Sequence, residues 1–338
     1  MPRGKILTLL SFLGGLGLTV YLVRAEGWHE ILALLRRAGW PLLLLPLVHI
    51  VPIFLDAISW RWLLDRPRRV SLLFLTWLAL LREAVNALLP VARIGGEVVG
   101  VRLLGKAGVP LYTAAASVLV EVSLTLASQL VFTLAGLIIL LATIDDRQIL
   151  EYTLGFLLAA LPTVAVFFWL QSRGRLFARL QSLSQRFLGA GEWLARVVDL
   201  AHLDHEIQRI YGRNWALLWA NFWQLAGLFA GAVEVWLTFW LLGHPIPLWS
   251  AVLLESLGQA LRSAAFFVPG GLGVQEGGFL LLGAAVGIGP DLALAFSLAR
   301  RLRELLLGVP LLGSWYIYEG QRWQQRWRRQ EASREGAI

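Results

Sequence analysis

The sequence predicts an all-α polytopic membrane protein built from inverted structural repeats, with about six crossing helices and two re-entrant helical hairpins. Three observations carry this. Hydrophobic residues make up 57% of the 338-residue chain and charged residues only 15%, against about 25% charged in soluble domains. Several apolar runs reach the roughly 18 residues that span a bilayer. A series of landmarks in the first half returns in the same order in the second. Collagen, coiled coil and intrinsic disorder are excluded by the same composition.

The elements follow in order. An apolar run over 5–23 stands behind Arg3 and Lys5. The segment after it, Arg24-Ala25-Glu26-Gly27, is a poor signal-peptidase site, so a retained anchor is expected. Residues 24–39 form a polar stretch. A span over 40–64 carries Asp56 and Arg61, and a basic loop follows at Arg66, Arg68 and Arg69. The segment 70–108 is apolar to Leu89, breaks at Pro90 and a Gly-rich turn, and resumes briefly to Gly108. A long run over 111–144 holds Glu121, and an acidic loop (Asp145, Asp146, Glu151) separates it from a span over 152–170.

Residues 171–213 are Arg-rich, with Leu176, Leu180, Leu183 and Phe187 at helical spacing. Two readings fit: an amphipathic helix on an anionic membrane surface, or a solvated connector between halves. The second half opens with a span over 215–242 containing Glu234, broken by Pro245 and Pro247. A second interrupted segment over 249–287 then contains Glu255, Arg262 and Pro269-Gly270-Gly271-Leu272-Gly273-Val274-Gln275-Glu276. A last helix runs over 291–318, and a basic tail starts at Gln321. The domains are therefore 1–39, anchor and loop; 40–170, first repeat with a linking helix; 171–213, connector; 214–320, second repeat; and 321–338, tail.

Asp56 and Glu234 each precede a Trp-Leu-Leu by six residues, at an offset of 178. Pro90, Glu97 and Gly108 match Pro269, Glu276 and Gly287 at an offset of 179, which sets Glu121 opposite Arg300. Charge fixes the sense of the repeat. If 70–108 enters the membrane and returns, every strongly basic segment falls on one face, as the positive-inside rule demands. The Glu234 helix is then the third crossing after the Asp56 helix, so the two run in opposite directions and the halves are inverted. Both termini are expected in the cytoplasm.

About a dozen charges fall in apolar segments, and each costs roughly 2.5–3.5 kcal/mol at the bilayer centre even on the lenient scale. They either pair with one another or line a wet cavity. The candidates for substrate contact are Asp56, Arg93, Glu97, Arg262, Glu276, Arg300 and Arg303. Arg300 and Arg303 lie three apart on one helical face, where they could grip a phosphate; Arg301 is expected to point elsewhere and snorkel. No catalytic, metal or cofactor site is expected. His202 and His205 lack a ligand set, the Gly270 loop lacks the Lys-Ser/Thr of a P-loop, and Gly14-Gly15-x-Gly17 suits close helix packing. The chain has no cysteine. Its +8 charge lies mostly in loops and tail and does not indicate nucleic acid.

At Pro269–Glu276 the chain resembles the flippase-like family named for the transmembrane region of lysylphosphatidylglycerol synthase, and Gly96-Glu97 is similar to that family's other signature turn. The stretches 256–266 and 274–279, with Arg301-x-Arg303-Glu304-Leu305, look more narrowly like its hopanoid-biosynthesis-associated branch. The resemblance implies movement of an amphiphilic lipid, of hopanoid or related terpenoid class, across the bacterial inner membrane. It also implies hopanoid-synthesising enzymes as partners, and roles for Glu97 and Glu276 first, with Asp56 and Arg93 after them. Many relatives carry Arg three residues after the first Glu; here that position is Gly100. A non-enzymatic transporter is the leading expectation. An intramembrane polyprenyl-(pyro)phosphate phosphatase and a non-catalytic scaffold are the alternatives.

Overall fold

The structure, a computed structural model, describes residues 28–64, 70–89, 95–143, 200–264 and 273–335, with the isolated positions 24 and 268. The expected anchor over 5–23, the span over 152–170 and most of the connector lie outside these residues. The described residues form helices and no strand.

The polar stretch before the first described span is itself a helix, α1 (Trp28–Ala38), with Leu34 and Ala38 buried. Its apolar residues recur every three to four positions, a period that outweighs its charges. Gly39 ends it at φ 61°. A 3₁₀ turn (Trp40–Leu44) leads into α2 (Leu45–Leu63). Helix α3 (Leu72–Leu88) starts where the Ser71 hydroxyl accepts the Phe74 N–H at 3.1 Å. Then come α4 (Gly95–Lys106), α5 (Leu111–Thr143) and α6 (Leu200–Tyr211). The second half is α7 (Asn214–Leu241), α8 (Leu248–Ala264), α9 (Val274–Ala285) and α10 (Pro290–Glu335).

Among the described residues, three stretches are long and apolar enough to cross a membrane: Trp40–Leu63, Leu111–Thr143 and Asn214–Leu241. Helix α10 has the length, but Arg300, Arg301, Arg303 and Glu304 interrupt its apolar character. It also continues through the basic tail to Glu335. The tail contains no proline, and Arg, Gln and Glu are good helix formers.

The duplication is visible element by element. Helices α3 and α8 both have 17 residues, and α4 and α9 both have 12. At 1.5 Å per residue these rise only about 26 Å and 18 Å, less than the roughly 30 Å hydrocarbon core, as re-entrant arms require. The second arms end alike. Val109 N–H reaches Leu104 O at 3.2 Å and Ile288 N–H reaches Gly283 O at 2.8 Å. The glycine before each donor, Gly108 at φ 94° and Gly287 at φ 75°, takes a left-handed conformation that a Cβ would strain.

Packing is reciprocal: α3 lies against α10 of the other half, and α8 lies against α5. Between them α2 and α7 form the central seam. Along it His49 meets Glu234, Pro52 O abuts Gly227, Trp62 stacks on Trp219, and Arg213 reaches Leu63 O. Numbers rise on one helix as they fall on the other, so the equivalent spans run antiparallel. A two-fold that exchanges antiparallel spans lies in the membrane plane, and the repeats are inverted.

Helix α6 buries Leu203, Ile207 and Ile210 against Leu63, Ala116, Val120 and Leu124. This part of the connector spends its apolar face on the bundle.

Candidate functional site

Among the described residues, the interior charges gather in two clusters, one within the first half and one where the two halves meet. In the first, Arg82 of α3 pairs with Glu121 of α5 at 2.7 Å and with Glu97 of α4 at 3.4 Å. Its guanidinium lies over the Trp60 ring at 4.7 Å from the centroid. Asn86 clips the hairpin shut, its Oδ1 accepting the Gly96 N–H at 2.9 Å while its Nδ2 donates to Glu97 at 3.2 Å. Asp56 of α2 faces this group, with Arg82 and Gln224 around it and its Oδ1 buried without a hydrogen-bond partner among the described residues. Three carboxylates thus surround one guanidinium.

Gly96 and Gly100 explain how Arg82 fits. A Cβ at Gly96 would collide with the Arg82 carbonyl oxygen, and one at Gly100 would lie 2.9 Å from the Arg82 Cδ. In the second hairpin Phe279 stands where the first has Gly100, and its ring is accommodated by Gly258, where a Cβ would lie 2.9 Å from it. Gly100 therefore gives passage to an arginine from the neighbouring arm.

The second cluster joins six helices. His49 of α2 presents Nδ1 to Glu234 of α7 at 2.7 Å and Nε2 to both oxygens of Glu83 of α3 at 2.9 and 3.0 Å. Arg303 of α10 binds Glu234, approaches His49 Nδ1 at 3.0 Å and lies 3.9 Å from Glu304. Glu304 also faces Arg301 at 3.1 Å and Arg262 at 3.6 Å. Arg301 Nε donates to Glu276 at 3.3 Å, and Glu276 accepts the Gly273 N–H at 2.7 Å. A carboxylate in a first helical turn also suits the helix dipole, as at Glu97. Arg300 grips Glu255 with both terminal nitrogens, beneath Phe279 and Phe296.

A cleft of about 270 Å³, counting its open mouth, opens beside this second cluster. His49, Glu83, Arg303 and Glu304 form its polar end. Leu80, Ala84 and Ala87 of α3 face Leu307 and Leu311 of α10 along its apolar end. Glu83 is the most open of the charged side chains there, 34% exposed, against 2% for Arg303 and 8% for Glu304.

Of the residues singled out from the sequence, the structure brings Arg262, Glu276 and Arg303 into one network and puts Asp56 and Glu97 in the other. Arg300 is closed into its own pair with Glu255. Arg93 lies outside the described residues. Arg301, expected to snorkel, turns inward onto Glu276, because a carboxylate with no exposed surface needs a cation beside it. His49, Arg82, Glu83, Asn86 and Glu255 were not singled out as site residues. His49 and Arg82 carried a signal, being polar groups inside runs of apolar residues.

The family described as Lysylphosphatidylglycerol synthase TM region matches residues 8–311, and the chain belongs to it. No curated protein and no solved structure matches the chain. Membership carries a membrane setting and a lipid-related function.

Proposed function

We propose, with that family membership as the premise, that the protein moves an amphiphilic lipid between the leaflets of the bacterial inner membrane, with a hopanoid or related terpenoid lipid as cargo. The amphipathic cleft between α3 and α10 supports this reading most directly. Its polar end takes a headgroup at Glu83 and its leucine- and alanine-lined end takes the start of a hydrocarbon tail. An aqueous solute has no use for the second feature. The inverted halves meet along the α2–α7 seam, and their rocking would carry the headgroup across while the tail stays in lipid. Both termini are cytoplasmic in this reading, which keeps the basic segments on one face. The protein is not an enzyme, and it works beside the enzymes that make its cargo.

Mass spectrometry of lipids retained by the purified protein tests this, with Ala87→Trp filling the cleft as the comparison. A hopanoid or another defined lipid that copurifies with the wild type and is lost in the variant supports the reading. Bulk membrane lipid, identical in both, overturns it. Retained undecaprenyl phosphate, with phosphate release by the purified protein, moves the assignment to an intramembrane phosphatase.

A further inference from the structure

Among the described residues, the second charge cluster holds one more carboxylate than guanidiniums, and one extra proton balances it. Arg303 faces Glu83 and Glu234 around His49, so with a neutral imidazole these four groups carry one net negative charge. Widening the boundary changes nothing. Glu276 and Glu304 add two carboxylates, and Arg262 and Arg301 add two guanidiniums. Arg303 is shared between two carboxylates, one of which, Glu234, is only 5% exposed; excess negative charge is costly there, and a single proton removes it.

The geometry at His49 says where that proton sits. Both ring nitrogens lie within hydrogen-bond distance of carboxylate oxygens, Nδ1 of Glu234 and Nε2 of Glu83. A neutral imidazole has one N–H and cannot donate to both. Either the ring is an imidazolium or one carboxylate is protonated; Glu83, 34% exposed, is solvated as an anion, which leaves the 5% exposed Glu234 as the carboxyl that holds the proton. Arg303 Nη1 is in reach of both Glu234 and His49 Nδ1. When the proton leaves, Nδ1 becomes an acceptor and Arg303 can donate to it. The cluster therefore has two satisfied arrangements. With the proton, His49 ties α2 to Glu234 of α7 across the seam between the halves. Without it, that tie is lost and His49 turns its lone pair to α10.

We infer that His49 and Glu234 form a proton-binding site, reached from the cleft through Glu83, and that loading and release of this proton locks and frees the α2–α7 seam. The charged groups facing the imidazole are Glu83 from α3, Glu234 from α7 and Arg303 from α10, with Glu304 behind Arg303. The proton site stands on its own geometry; its use in driving lipid movement rests on the reading above. Such a site would let a transmembrane proton gradient power the cycle.

The test uses the full chain with its four exposed histidines, His29, His202, His205 and His244, replaced by glutamine. His49 is then the sole histidine, and ¹⁵N-histidine NMR reports its protonation directly. The expected spectrum near pH 7 is either an imidazolium or an Nε2–H imidazole beside a protonated Glu234. Infrared carbonyl absorption lost in Glu234→Gln identifies the second form. A neutral ring together with an ionised Glu234 overturns the proposal. Seam opening is read separately. The chain has no cysteine, so Leu55→Cys, which lies against Gly227, gives one labelling site in phosphatidylcholine vesicles. Its maleimide labelling, corrected for the reagent's own pH dependence, should accelerate up to about tenfold per pH unit through the transition. In His49→Gln the corrected rate should lose its pH dependence. A rate flat in the His49 protein overturns the coupling. Neither measurement uses a lipid substrate, so they stand or fall independently of the retained-lipid assay.

Discussion

Arg300 and Glu255 allow a sharp test of which buried charges serve structure alone. Their side chains are 5% and 4% exposed, and Arg300 makes two contacts to the carboxylate. Glu255→Gln removes the countercharge while keeping the shape, and strands a guanidinium between α8 and α10. Breaking a buried pair from one side costs about 3–5 kcal/mol. The Phe279 and Phe296 rings lie 5.6 and 5.7 Å from the guanidinium and recover no more than about 1–2 kcal/mol. The net loss should be about 2–3 kcal/mol, or roughly 4–6 °C of melting temperature in detergent. The double variant Glu255→Leu/Arg300→Leu removes both charges and should return to within about 1 kcal/mol of wild type. Its retained lipid should be unchanged. The reasoning fails if Glu255→Gln melts within about 1 °C of wild type, or if the single losses simply add. Arg300 would then be stable without Glu255, and free to hold a headgroup as the sequence suggested.

The glycines beside the two hairpin glutamates should separate cleanly. Gly96→Ala should destabilise the first hairpin by about 1–3 kcal/mol in a detergent melt, because its Cβ meets the Arg82 backbone. Gly277→Ala meets nothing within 4 Å and should be neutral or slightly stabilising. At the basic end of α10, partial burial acts to raise the Glu319 carboxyl. The hydrogen bond from Lys106 at 2.7 Å and the charges of Arg102 and Lys106 outweigh it, holding the carboxyl below its ordinary value. A depressed folded value contributes stability above the ordinary carboxylate range and loses it as pH falls through the folded value. A urea series from pH 7 to pH 3 should show a slope, worth less than about 1 kcal/mol, that Glu319→Gln abolishes. For topology, Trp40→Cys and His244→Cys sit at the start of the 3₁₀ turn that leads into α2 and just beyond the α7 end. Antiparallel spans require that an impermeant maleimide label both from the same face, the periplasmic one on the charge reading; labelling from opposite faces would refute the inverted arrangement.

Much of the fold was legible because its signals are local or periodic along the chain. Bilayer-length apolar runs mark spans whatever they pack against. The breaks at Gly108 and Gly287 show in the sequence because their backbone geometry needs glycine. The helix at Trp28–Ala38 was missed because its charges masked a helical period. Among the site residues, Glu97 and Glu276 stood out from their place beside Gly-rich turns.

The sequence by itself determined a membrane bundle, its duplicated landmarks and the inverted sense of its halves, since hydropathy, order and charge bias can all be counted along one dimension. Only the tertiary structure decided which charge meets which. His49 and Arg303 are 254 residues apart, and His49 and Glu234 are 185 apart; no spacing rule links them. Their meeting depends on how α2, α3, α7 and α10 cross, and a change of one residue in a helix turns its side chain by about 100°. The same crossing closes Arg300 onto Glu255, turns Arg301 inward and leaves Glu83 open to the cleft, because buried charges take whichever partners the packed helices bring within a few ångströms.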